Sequence, residues 1–156
     1  MPTQREILIV AVGNDLLGDD AVGVVAGLAL KAEGLPVEIS VRSGLALLDH
    51  IEGVGKVLLI DSQTTGGAPG EIEEFVLTPS VVRSPSPHYL GYGEALAVGR
   101  AVGLDLPDEI RVLAVERTGA TNIGAGLSDS VRAALPALIH RARDIVRGWS
   151  RHEVAA

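Results

Sequence analysis

The stretch that most restricts the fold is Ile7 to Val12, six apolar residues in a row followed by Gly13-Asn14. A strand that is apolar on every residue cannot leave one face in water, so it belongs in the middle of a parallel sheet covered on both sides. Gly13-Asn14 is a turn pair, and an amphipathic segment starts just past Asp19-Asp20, giving strand, short loop and helix, as in a βαβ unit. The usual occupant of such a loop is a phosphate held by backbone amides and the positive helix end. Here the loop carries Asp15, Asp19 and Asp20, and three carboxylates repel a phosphate. Acidic oxygens at the end of a strand suit a cation or a proton instead. One of Asp19 and Asp20 is expected to cap the helix, which leaves the others for chemistry.

The 156 residues are expected to form a single domain, 1–156, with a core of Val, Leu, Ile and Ala, because only 3% of the chain is aromatic. A net charge of −7 with no basic stripe argues against a nucleic-acid partner, which would need clustered Lys and Arg. The absence of cysteine removes disulfides, thiolate metal sites and a cysteine nucleophile. The segment MPTQREILIV lacks the pattern of a signal peptide, and no apolar run approaches the roughly 18 residues of a membrane span. A cytoplasmic protein with no membrane span is the expectation, working as a monomer.

Further along, Ala21, Val24, Val25, Leu28, Ala29 and Ala32 recur at helical spacing up to Gly34, which stands in the preferred terminating position. Val37 to Arg42 alternates as a strand, and Ser43-Gly44 opens a short helix through Leu45, Leu48 and Ile51. Lys56 to Ile60 reads as a second buried strand ending at Asp61. In open α/β sheets ligands sit outside the carboxyl ends of the strands, where the strand order reverses. If the strands ending at Val12 and Ile60 are neighbours, Asp61 and the Asp19/Asp20 loop line one crevice. Otherwise Asp61 is a turn residue.

Pro69-Gly70 leads into an acidic edge strand, EIEEFVL, with antiparallel pairing as one option. After the stiff SPSP connector at 84–87, His88 stands at the start of a helix carrying Tyr89, Tyr92, Leu96 and Val102. A helix start disfavours the protonated ring, and a neutral imidazole is what a metal ligand or general base needs. An exposed polar residue near a cap is the competing reading. Glu109 to Val115 is another strand. Beyond it, Glu116 and Arg117 are the chemically notable residues. Ser128 caps a last helix whose inward stripe is Val131, Leu135, Leu138, Ile139, Ala142 and Ile145. Pro136 should perturb that helix, and the tail SRHEVAA should fray.

Asp20, Asp61 and His88 therefore each lie at the end of an element. Two carboxylates and one imidazole make a three-ligand set with open positions, suited to a divalent ion such as nickel, zinc, manganese or iron. His50, His140 and His152 read as surface or satisfied histidines. Ser43, Ser62, Ser84 and Ser86 stand in no G-x-S-x-G elbow. A two-aspartate mechanism, with a water between Asp20 and Asp61, also fits the residue types.

Separated stretches along nearly the whole chain then resemble one family in the right order. GNDLLGDDAVGVVA is similar to the G-N-x-L-x-x-D-[DE]-G-x-G signature of the nickel–iron hydrogenase maturation endopeptidases. LLIDSQTTGGAPGEIEEF matches that family's strand, aspartate and G-x-P-G turn. SPHYLGYGEALAVGRAVG matches its S-x-H and helix, and LPDEIRVLAVE with GLSDSVRAALPALI completes the chain. The resemblance implies a three-layer α/β fold, a twisted, mostly parallel five-stranded sheet with helices on both faces. It also implies removal of the C-terminal extension of a hydrogenase large-subunit precursor after nickel insertion. The family's metal-contacting positions fall on Asp20, Asp61 and His88, with Asp20 and Asp61 as the catalytic pair. The nickel is expected to be that of the precursor. Ala21 stands where the family more often has glycine, and Asp20 where it may have glutamate. The rival expectations are a nickel-binding chaperone of the precursor without activity, and a metal-dependent hydrolase of small molecules on the same scaffold.

Overall fold

The computed structural model describes residues 5–14, 18–41, 44–78, 90–118 and 126–155. Its elements are β1 (Ile7–Val12), α1 (Val22–Ala32), β2 (Val37–Ser40), α2 (Leu47–Ile51), β3 (Lys56–Gln63), β4 (Ile72–Leu77), α3 (Leu90–Ala101), β5 (Glu109–Glu116) and α4 (Asp129–Ala155). Short 3-10 turns at Gly18–Ala21 and Gly44–Ala46 lead into α1 and α2. The sheet order is β2-β1-β3-β5-β4, parallel except for β4, which runs antiparallel to β5. The chain is thus a five-stranded, mostly parallel sheet of three-layer α/β type.

The pleat decides which layer each side chain joins. Ile9 and Ala11 of β1, Leu58 and Ile60 of β3, and Leu113 and Val115 of β5 face α1 and α4. Leu8, Val10 and Val12, Val57 and Leu59, and Val112 and Ala114 face α2 and α3. Leu8, Leu58, Leu59 and Ile60 retain no exposed surface, and each such burial contributes about 1.5–3 kcal/mol over an exposed position. α1 lies tight on the sheet because of Gly23. A Cβ there would stand 2.5 Å from the Val12 carbonyl oxygen and 2.7 Å from that of Ile60.

From β1 the chain steps outward through α1 to β2, then α2 carries it back past β1 to β3. The strand order reverses between β1 and β3, which are hydrogen-bonded neighbours from Ile7↔Lys56 to Ala11↔Ile60. The two strands are thus neighbours, which is the arrangement the crevice reading required.

Several local expectations change. β3 continues to Gln63, so Asp61 lies inside the strand and the turn reading is overturned. Neither Asp19 nor Asp20 caps α1; Ala21 holds that position without a side-chain cap, and the 3-10 turn leads directly into the helix. β2 stops at Ser40, leaving Val41 exposed, and Val102 lies beyond the end of α3 and is also exposed. α4 continues across Pro136 and through the tail to Ala155. Its far end is held by Val146 and Trp149, both packed in the core, so the last turns do not depend on local propensity alone.

The edge strand is as expected, and its entry is specific. The Glu71 amide donates to the Ala68 carbonyl, Gly70 has φ +94°, and Gly70 N and Glu71 O both bond the backbone of Glu116. Two residues thus oppose one, a bulge with glycine in the left-handed region.

Candidate functional site

Asp61 is fully buried in β3, facing the α3 layer. Its Oδ1 accepts the Ser62 amide at 2.7 Å, and its Oδ2 accepts the Tyr92 hydroxyl at 3.0 Å. Because successive strand residues point to opposite faces, Ser62 turns the other way, where its Oγ donates to Asp20 Oδ1 at 2.9 Å. Asp20 Oδ2 also accepts the Asn14 amide at 3.1 Å. Ser62 is therefore the link between the two nominated carboxylates, one from the loop after β1 and one from β3. Asp20 is the more open of them, being partly exposed.

The neighbouring carboxylates hold the crevice in shape. Asp19 is 3% exposed and accepts four hydrogen bonds: Thr118 N and Oγ1 at 3.3 and 2.9 Å, and Ser128 N and Oγ at 2.6 and 2.9 Å. Burial pushes its carboxyl up, but the Ser128 and Thr118 donors together outweigh that and hold it below the ordinary Asp value. The acid thus fastens the turn after β1 to the chain following β5 and to the start of α4. Ser128 stands just ahead of α4, as expected for a cap, and its hydroxyl is directed to Asp19. Glu116, also buried, accepts Thr65 N, Thr65 Oγ1 and Gly66 N at 2.6, 2.8 and 3.0 Å. It thereby anchors the loop that follows β3. Beside it, Gln63, Thr65, Glu71, Ile72, Glu73 and Glu116 line a cavity of about 350 Å³.

Of the three nominated site residues, Asp20 and Asp61 come together through Ser62; His88 lies outside the described residues. So do Asp15, Ser43, Ser84, Ser86 and Tyr89. Tyr92 brings the first turn of α3 against β3, and His88 precedes that turn by two residues in the sequence. Among the described residues no group of three His, Asp or Glu side chains is arranged to hold a metal. His50 lies 3.6 Å from Glu38, and His140 3.2 Å from Asp144, as surface histidines do. The side chain of His152 lies outside those described. Sequence reasoning missed Ser62 and Tyr92 as partners. The available signals were the Asp61-Ser62 adjacency and the four-residue interval from His88 to Tyr92. No described helix is long and apolar enough to cross a membrane.

With this geometry in place, comparison with known proteins is informative. No family model matches the chain. Among curated proteins it is 25% identical over 157 aligned positions to the hydrogenase expression/formation protein HupD of Rhizobium leguminosarum bv. viciae, covering 95% of this chain and 77% of that protein. Among solved structures it superposes on the hydrogenase maturating endopeptidase HybD from E. coli with TM-score 0.74 at 25% identity, covering 92% and 93% of the two chains. The [NiFe] hydrogenase maturation protease HybD from Thermococcus kodakarensis gives TM-score 0.67 at 25% identity, covering 90% and 98%. A protein of three-layer α/β fold with paired aspartates at its switch point is thus like these proteases in sequence and fold. The chain is similar to hydrogenase maturation endopeptidases along nearly its whole length.

Proposed function

We propose that this chain is an endopeptidase that removes the C-terminal extension of a nickel–iron hydrogenase large-subunit precursor once nickel has been inserted. The observation that carries the proposal is the Ser62 bridge, which holds Asp20 and Asp61 together at the point where the strand order reverses. Its support is the likeness to maturation proteases along nearly the whole chain. The precursor's nickel is part of the substrate, contacted by Asp20, Asp61 and His88, so that loading is read before the cut. Two carboxylate oxygens and an imidazole nitrogen are donors that a borderline divalent ion accepts.

Hydrolysis adds the oxygen of one water to the scissile carbonyl carbon, and the C–N bond breaks with a proton delivered to the departing nitrogen. Asp20, the partly exposed carboxylate, takes the proton from that water, and the buried Asp61 is linked to it through Ser62. The cavity of about 350 Å³ does not include Asp20 or Asp61 in its walls, so it gives no support to a small-molecule hydrolase. The proposed setting is the cytoplasm, with the chain acting as a monomer.

Incubation with nickel-loaded precursor should shorten the precursor at its C-terminus, read by mass, and Asp20→Asn or His88→Ala should stop the shortening. Stoichiometric complex formation with no change in precursor mass would instead indicate a chaperone. Normal processing by both variants would show that the site has been wrongly assigned.

A further inference from the structure

Tyr92 is one of two tyrosines in the chain and is fully buried in the first turn of α3. A buried phenol needs a partner for its hydroxyl, and here the partner is Asp61 Oδ2 at 3.0 Å. The other oxygen of Asp61 takes the Ser62 amide, while the Ser62 hydroxyl, on the opposite face of the sheet, takes Asp20. An element from each side of the sheet is thereby tied to the pair: α3 through Tyr92, and the turn before α1 through Asp20.

We infer that the Tyr92 and Ser62 hydroxyls are positioning residues for the cut, Tyr92 fixing the orientation of Asp61 and Ser62 fixing Asp20 against it. The inference rests on the reading of Asp20 and Asp61 as the reacting carboxylates. An aspartate carboxyl is free to rotate about its last bond unless its oxygens are held. A reacting group displaced by about 1 Å can cost on the order of 10²-fold in rate. Partners that orient a ligand or a reacting acid typically account for about 10–100-fold. A hydroxyl that served the fold alone would change unfolding and leave the turnover of folded protein as it was.

Tyr92→Phe keeps the ring in the core and removes only the donor. With nickel-loaded precursor as substrate and product followed by mass, kcat should fall about 10–100-fold while KM stays within about twofold. Ser62→Ala should show the same split. A Tyr92→Phe protein with kcat within twofold of the unmodified chain overturns the inference, and so does an unchanged kcat with a raised KM. Should Tyr92→Phe fail to fold by circular dichroism, Ser62→Ala decides by the same criteria. If the unmodified chain leaves the loaded precursor uncut, the functional reading falls and takes this inference with it. If the unmodified chain cuts and Tyr92→Phe cuts as fast, only this inference falls.

Discussion

The two ends of the sheet are built on different principles. Among the described residues, the six that are both polar and buried are Asp19, Ser40, Asp61, Ser62, Gln63 and Glu116, and all lie at or just beyond the carboxyl ends of strands. The amino end instead relies on partly exposed charges. Arg111 pairs with Glu109 at 2.8 Å and Glu74 at 3.4 Å, Arg5 pairs with Glu38 at 2.9 Å, and Lys56 and Arg111 lie 5.9 and 5.8 Å from the Trp149 ring centre. A buried polar group costs free energy unless each of its hydrogen-bonding atoms is satisfied, so a protein tolerates a cluster of them where the chemistry requires it. The contrast sets the two ends of the sheet apart without reference to any relative. It also implies that equal-sized changes at the two ends should have very unequal effects.

The largest effect should come from the paired acids. Asp20→Asn or Asp61→Asn is expected to slow precursor processing by about 10²–10⁴-fold, measured by mass on loaded precursor. Full activity in Asp61→Asn would dissolve the distinction between the two ends. Next is Asp19→Ala, which leaves the Thr118 and Ser128 donors without their acceptor. Urea unfolding should show a loss of about 2–4 kcal/mol, and a loss under 1 would mean that water replaces the carboxylate easily.

Acid should reproduce part of that loss. The Asp19 carboxyl titrates lower in the folded chain than in the unfolded one. Its stabilisation is therefore complete above the unfolded value of about 3.9 and disappears as pH falls through the lower folded value. Stability measured from pH 7 downward should decline below about pH 4, and the gap between the unmodified chain and Asp19→Asn should narrow there. A gap that widened on acidification would reverse the sign argued here.

Gly23→Ala should cost about 1–3 kcal/mol by forcing α1 off the carbonyl oxygens of Val12 and Ile60. Because those two residues end β1 and adjoin Asp61, its activity should fall as well, which sharpens the link between helix seating and the crevice. The smallest effect belongs to the opposite end. Arg5→Ala should alter stability by less than about 0.5 kcal/mol, since the Arg5 side chain is 59% exposed and its pair is open to solvent. A loss of 2 kcal/mol there would show that the amino end is also a tuned structure.

Much of the architecture was legible before any coordinates. The runs at 7–12 and 57–60 have no polar residue on either face, so only a sheet covered on both sides can bury them, and periodicity placed the helices between. The edge strand was legible from its acidic residues, whereas the pairing of β1 with β3 was only conditional. Less legible were events at element ends. Asp61 read as the residue after a strand, yet the ladder with β5 extends to Gln63↔Glu116. Asp19 or Asp20 read as a helix cap, a local role, whereas both carboxylates are engaged by residues distant in sequence. Pro136 and the C-terminal tail read as weak points, but the helix runs across the proline to Ala155, with Val146 and Trp149 packed in the core.

The sequence by itself determined the class of fold, the two strands buried on both faces and the candidate acids Asp20 and Asp61. Those follow from periodicity and residue chemistry, which act over a few neighbouring residues. Only the tertiary structure decided what each acid touches. The Asp20–Ser62 bond spans 42 positions, Asp61–Tyr92 31, and Asp19–Ser128 109. No local pattern encodes such pairings, because they form only after the sheet has brought distant strand ends to one edge and excluded the water that would otherwise satisfy them.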